Sequence, residues 1–231
     1  MSGAPDSLEL VARDIIACEA CPRLREHCEQ VARVKRRAWR DWDYWGKPVP
    51  GFGDPNAKVL VVGLAPGAHG ANRTGRVFTG DKSGDLLFKV LYRAGFANQP
   101  TSSHVSDGLK LDGIWISASC RCAPPDNKPS PEEVRRCRPF LEREMTGLTK
   151  VRIVVALGKL AFDNYLAIVG MAGRSRMVFG HGAEFPISGC WGHERLIASY
   201  HPSMQNTLTG RLTEDMFQKV FGRAHALAAE T

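Results

Sequence analysis

Long apolar runs are missing from this 231-residue chain. The longest, around Lys58–Leu64 and Val151–Leu157, are far too short to span a bilayer. No basic stretch followed by an apolar one opens the chain, so no secretory signal is read there. There is no internal repeat, low-complexity tract or linker, and one domain is expected over 1–231. G-x-S-x-G, H-E-x-x-H and G-x-G-x-x-G patterns are absent, which leaves serine-hydrolase and hydride-transfer chemistry without support. The seven cysteines are an odd number, which suits reduced cytoplasmic thiols and a metal site better than a disulfide framework.

Positive charge is in excess: the formal net charge is +7. Arg33, Lys35, Arg36, Arg37 and Arg40 crowd one stretch that runs into Trp39, Trp42, Tyr44 and Trp45. Cations neutralise phosphates and planar rings stack on bases, so the mixture suits nucleic acid. It equally suits a solvated helix face whose rings pack on the core.

Four cysteines carry a second signal. Cys18 and Cys21 are spaced C-x-x-C, while Cys122 and Cys137 lie far downstream. Thiolates that converge only on folding point to one metal centre, either zinc or an iron–sulfur cluster. Cys120 competes with Cys122 for the third position, and Cys28 and Cys190 are left over.

The apolar pattern predicts an α/β fold with a four-stranded parallel sheet and helices on both faces. The strands are expected at Lys58–Leu64, Ile114–Ser119, Val151–Leu157 and Leu196–Tyr200. Helices are expected after Asp6, after Asp81 or Ser83 with a stop at Gly95, from Ser130 to about Thr146, and after Thr213. Ligands of such sheets bind beyond the carboxyl ends of the strands. That edge collects Gly63–Asp81, the loop after Cys122, and His201-Pro202-Ser203.

The segment GLAPGAHGANRTGRVFTGD, residues 63–81, holds five glycines but neither a P-loop nor a dinucleotide fingerprint. Its glycines allow backbone amides close to a ligand, and Phe78 offers a stacking surface for a flat one, with simple core burial the alternative. His201, directly after a strand, can donate to a carbonyl that gains negative charge, although a lone histidine is more often structural.

Together these motifs resemble the uracil-DNA glycosylase superfamily, in particular its iron–sulfur family five, or type B. The resemblance rests on Gly63–Asp81, on His201-Pro202-Ser203 with the following Met204–Leu212, and on Cys18, Cys21, Cys122 and Cys137. Pro124-Pro125-Asp126-Asn127 after Cys122 selects that cysteine over Cys120. The resemblance implies a monofunctional DNA repair enzyme that flips uracil, and other deaminated bases such as hypoxanthine, out of double-stranded DNA. The base is excised hydrolytically, and the abasic product passes to downstream base-excision repair enzymes. It further implies a structural [4Fe-4S] cluster and a monomer. His201 would be catalytic, with Asn127 or Asp81 holding water, because Ala68 replaces the polar residue most of the superfamily has there. Gly63, Ala65, Gly67, Ala68, Phe78, Ser203, Asn206 and Arg211 would contact substrate. Two rivals remain at this stage: an iron–sulfur nucleic-acid-binding module without activity, and a hydrolase of free nucleosides.

Overall fold

The computed structural model describes residues 7–173, 176–188 and 191–231. Its strands are β1 (Phe52–Gly53), β2 (Val59–Gly63), β3 (Ile114–Ala118), β4 (Ile153–Leu157), β5 (Glu184–Pro186) and β6 (Arg195–Ser199). They form one six-stranded sheet in the order β1-β3-β2-β4-β6-β5. The four expected strands are its parallel centre, with Val61 opposite both Ile116 and Val155, and Val155 opposite Ile197. The sheet is nevertheless mixed, because β1 and β5 add antiparallel edges. At two and three residues, with Gly53 and Pro186 among them, these edges are too short to show alternation. Lys47–Pro55, expected as an ordered connection, contains β1.

Helices cover both faces. On one side α4 (Lys82–Arg93) and α8 (Glu214–Glu230) pack Leu87, Val90, Phe217 and Phe221 onto Val59, Val61, Ile116 and Ile197. On the other, α5 (Pro131–Gly147) and α6 (Lys159–Ile168) pack Leu141, Met145, Phe162 and Tyr165 onto Leu60, Val62, Val154 and Leu196. Alternate residues of one strand thus feed opposite cores, which explains the unbroken apolar runs. Among the described residues, no helix is long and apolar enough to cross a membrane.

Caps fix the helix starts. Asp81 Oδ1 accepts from the Gly84 amide at 3.0 Å and starts α4. Ser130 and Glu133 exchange hydrogen bonds of 3.2 and 2.7 Å in a full capping box on α5. Thr213 Oγ1 accepts from the Met216 amide to start α8. The expected cap Asp6 lies outside the described residues; Ser7 Oγ accepts from the Leu10 amide and starts α1 (Leu8–Ile16).

Helix α2 (Pro22–Val34) was not expected, since its composition is mostly polar and only Leu24, Arg25 and Cys28 are buried. Nor were α3 (Ala71–Thr74) and α7 (Met204–Leu208), each about one turn long, or α6. The N-terminal helices are clipped to α5. Arg23 grips Glu133 at 2.8 and 2.7 Å, Arg136 donates to the Ala20 carbonyl at 2.9 Å, and Arg143 meets Asp14 at 2.6 Å.

Candidate active site

Gly63 ends β2 at the carboxyl edge of the sheet, and the aromatic ring of Phe78 lies directly against it. A Cβ at Gly63 would stand 2.8 Å from Phe78 Cε2. The Phe78 backbone holds a left-handed φ of 53°, costly for an aromatic residue, and the surroundings must enforce it. Gly84, in the first turn of α4, supplies part of that enforcement: a Cβ there would meet the Phe78 carbonyl oxygen at 1.7 Å. Beneath the strap, Thr74 Oγ1 donates to the Thr79 carbonyl at 3.2 Å. Arg76 bridges Ser102 at 2.8 Å and Asp107 at 2.6 Å, and its charge holds the Asp107 carboxyl far below the usual range despite burial.

His201 follows β6 and meets Phe78, ring centroids 5.8 Å apart and planes 29° from parallel. Asn206 Nδ2 donates to the His201 carbonyl at 2.8 Å. Gly158, at φ 96°, leaves room beside the His201 Cβ. The ring nitrogens of His201 have no hydrogen-bond partner among the described residues, and an edge of the residue reaches solvent. Burial pushes its pKa down to about 4, so the imidazole is neutral at pH 7 and keeps an N–H to donate.

The rest of the glycine loop surrounds Asp81. A Cβ on Gly70 or Gly67 would fall 2.0 or 2.8 Å from Asp81 Oδ2, so the loop wraps the carboxylate closely. Burial raises the Asp81 pKa, opposed by the amides it caps. The amides of Ala65, Gly67 and Ala68 donate to no protein acceptor among the described residues.

Asn127 stands apart from this group. It is exposed at φ 57°, after Asp126 at 54°, and its side chain has no described partner. Its loop is rooted near the site, since Ala68 packs against the cluster of Leu24, Cys28, Cys122 and Ala123, and the Ser119 and Cys120 amides donate to the Gly63 and Leu64 carbonyls at 2.9 Å. Ser203 Oγ caps α7 through the Asn206 amide at 3.3 Å, a structural engagement beside its expected contact with substrate. Arg211 lies over the Tyr200 ring at 4.5 Å, and Leu208 projects from α7 with 79% of its surface exposed.

The basic and aromatic stretch divides between the two readings open to the sequence. Arg33, Arg36, Arg37 and Arg40 are exposed, whereas Trp39, Trp42, Tyr44 and Trp45 are half-buried. Tyr44 Oη pairs with His69 Nδ1 at 3.0 Å, and Trp45 covers Gly75. Trp39 and Trp42 enclose Arg73, a residue the sequence reading passed over because a single arginine in a glycine-rich loop has no periodic signal.

Cys18, between α1 and α2, and Cys21, the N-cap of α2, line one cavity with Cys122 and Cys137. Cys120 is absent from that wall, fully buried and paired with the Cys137 thiol. All described cysteines are free, and Cys190 lies outside the described residues. No three His, Cys, Asp or Glu side chains among the described residues are grouped tightly enough to hold a single metal ion. Arg25, Arg121 and Arg136 share the cavity wall. Arg121 pairs with Glu144 at 2.6 Å, yet its Nε and Nη1 are buried without a partner. The two orphaned donors, buried although Glu144 balances the charge, would be met by the negative charge of four thiolates holding a cluster. The donor set fits an iron–sulfur group.

The parallel centre of the mixed sheet carries the stacked Phe78 and the neutral His201 at its carboxyl edge, where ligands of open α/β sheets bind. The family model described as the Uracil DNA glycosylase superfamily matches residues 50–224, and the chain belongs to that superfamily. Within it, the chain is 49% identical to the Type-5 uracil-DNA glycosylase of Thermus thermophilus, over 95% of this chain and 98% of the relative. It is 46% identical to that of Mycobacterium leprae, over 99% of both. The Type-4 uracil-DNA glycosylase of Archaeoglobus fulgidus is 28% identical over 86% of this chain and 82% of its own length.

Proposed function

We propose that this protein excises uracil from DNA by hydrolysing the bond between base and sugar, leaving an abasic site. The observation that carries the reading is the Phe78–His201 pair, an aromatic ring and a neutral histidine stacked on each other at the sheet edge. The target base leaves the stack, at a cost of a few kcal/mol that is least at a mismatch, and lies on Phe78. Free amides of Ala65, Gly67 and Ala68 read its edge. As the C1′–N1 bond breaks, negative charge grows on the base, and His201 donates to uracil O2. Positive charge grows on the sugar and is stabilised by the DNA phosphates. Water held by Asn127 attacks C1′, with Asp81 the alternative holder. No amine nucleophile takes part, so the enzyme is monofunctional. Because Ala68 offers no side-chain polar contact, hypoxanthine is accepted as well.

Exposed Arg33, Arg36, Arg37 and Arg40 suit contact with phosphates, and Leu208 suits the space the base vacates. Cys18, Cys21, Cys122 and Cys137 would hold a [4Fe-4S] cluster, which when bound supplies a structural tie, not a reaction step. The chain acts as a monomer on double-stranded DNA and hands its product to later repair enzymes.

Incubation with a uracil-containing duplex followed by alkali should cleave the strand at the uracil. An intact strand would refute the activity, and release of base only from free nucleosides would assign a metabolite hydrolase. Separately, purified protein should be brown, absorbing near ~400 nm, and Cys122→Ser should lose iron and melt at lower temperature. A colourless, zinc-loaded native protein would exclude the iron–sulfur assignment without touching the glycosylase reading.

A further inference from the structure

Arg73 is 1% exposed and enters no ion pair among the described residues. A buried, unpaired guanidinium is expensive, so its surroundings must compensate the charge. Two ring faces do so, with Trp39 at 3.9 Å and Trp42 at 4.3 Å from the guanidinium carbon. Nε donates to the His69 carbonyl and Nη2 to the Gly80 carbonyl, both at 2.8 Å. The remaining nitrogen, Nη1, has no hydrogen-bond acceptor, and the indoles share the compensation of the charge with the Asp81 carboxylate acting through space. Gly80 is itself fitted to this contact, since a Cβ there would stand 2.4 Å from Nη2.

The two carbonyls lie on opposite limbs of the glycine loop. His69 follows the free amides at Gly67 and Ala68, and Gly80 closes the strap that carries Phe78. One planar fork therefore sets the separation between the edge-reading limb and the stacking limb. The indoles that lock the fork belong to the segment bearing Arg37 and Arg40, so the exposed basic arm and the base pocket share one rigid contact.

We propose that Arg73 is a positioning residue for uracil excision: held in the corner formed by the perpendicular rings of Trp39 and Trp42, it keeps the Phe78 strap at the distance from the Gly67–His69 limb that a flipped base requires. A lysine can keep the charge but cannot span both carbonyls or stack as a plane. The role rests on Phe78 being the stacking floor.

The test compares Arg73→Lys, Phe78→Leu, their double variant, and Trp39→Leu with Trp42→Leu. Single-turnover excision from a uracil duplex is read beside Kd for a duplex carrying a non-hydrolysable uracil nucleotide. Arg73→Lys should lower the saturating rate by about 30- to 100-fold, as expected for a misplacement near 1 Å. Its Kd should change less than about 3-fold, because no phosphate contact is removed. The double variant should lose less than the product of the single losses, which marks a shared element. Trp39→Leu with Trp42→Leu leaves the glycine loop unaltered, should give the same rate signature, and carries the test if Arg73→Lys does not fold. Weakened Kd with an intact saturating rate, or fully multiplicative losses, would overturn the proposal. A normal rate in Phe78→Leu alone would instead remove the stacking floor, a distinct failure of the active-site reading.

Discussion

His201→Ala is expected to slow uracil excision by roughly 10²- to 10³-fold at saturating duplex, the usual loss when one donor to a developing oxyanion is removed. The expectation comes from geometry and from charge state together. Phe78 holds the imidazole in a near-parallel arrangement at 5.8 Å, and Asn206 pins the backbone beneath it. A neutral imidazole donor costs nothing to deprotonate at pH 7, because burial has already moved its pKa to about 4. The rate attributable to His201 should therefore stay flat from pH 8 to about 5, whereas a donor with an ordinary histidine pKa would bend the profile near 6.5. Stability should follow the opposite dependence. Between pH 6.5 and 4 the unfolded chain binds a proton at His201 that the native state refuses, so native stability is complete above pH 6.5 and falls as acid is added. His193, also pushed down to about 4 by burial, adds to the same decline. Melting curves at pH 7 and pH 5 should thus differ more for the native protein than for His201→Ala. Retained excision in a folded His201→Ala protein would discard the assignment, and an equal pH response of the two proteins would discard its charge state.

Gly84→Ala should damage excision about as severely while leaving the polar groups of the pocket intact. A methyl group there would lie 1.7 Å from the Phe78 carbonyl oxygen, a collision with backbone that no rotamer change relieves. Either the first turn of α4 shifts or the Phe78 strap does, and the strap is already strained at φ 53°. Relaxation of that strain moves the ring away from the base, with a loss on the order of 10²-fold. Gly63→Ala is the graded comparison. Its Cβ would approach ring carbons of Phe78 at 2.8 and 2.9 Å, and a side chain can swing where a carbonyl cannot. The expected order of single-turnover rates is native, then Gly63→Ala, then Gly84→Ala. Equal rates in all three would show that the position of Phe78 is unimportant to the reaction.

The four central strands and their helix caps were legible because each rests on a local rule. Asp81, Ser130 and Thr213 each stand one residue before a helix and cap it. Doubly buried strands read as continuous apolar runs, and the expected ends fall within a residue or two. The edge strands β1 and β5 were hidden because a pair of residues carries no period. Helix α2 was hidden because it is anchored by Arg25 reaching the Gly46 carbonyl at 3.0 Å and by Cys28 on Ala123, not by an apolar stripe. In the site, Phe78 stood out as an aromatic among glycines and His201 by its place directly after a strand. The clamp on Arg73 was not, since it joins residues more than thirty positions apart through rings that composition suggested for nucleic acid.

The clips between the N-terminal helices and α5 have a consequence for the order of folding. Arg23 to Glu133 spans 110 positions, Arg136 to Ala20 116, and Arg143 to Asp14 129. Contacts that close loops of this length pay their entropy before any neighbour rewards them, so they form late. During synthesis the first helices emerge well before their partners on α5 exist, and must wait unpaired until more than half the chain has followed. Of the sheet centre, only β2 and β3 can join in that interval, since β4 and β6 follow α5 in the chain. Docking of the N-terminal segment, and with it the closing of the cysteine cavity, must therefore await α5, and mutations at Glu133 or Arg143 should speed unfolding while leaving the folding rate nearly unchanged.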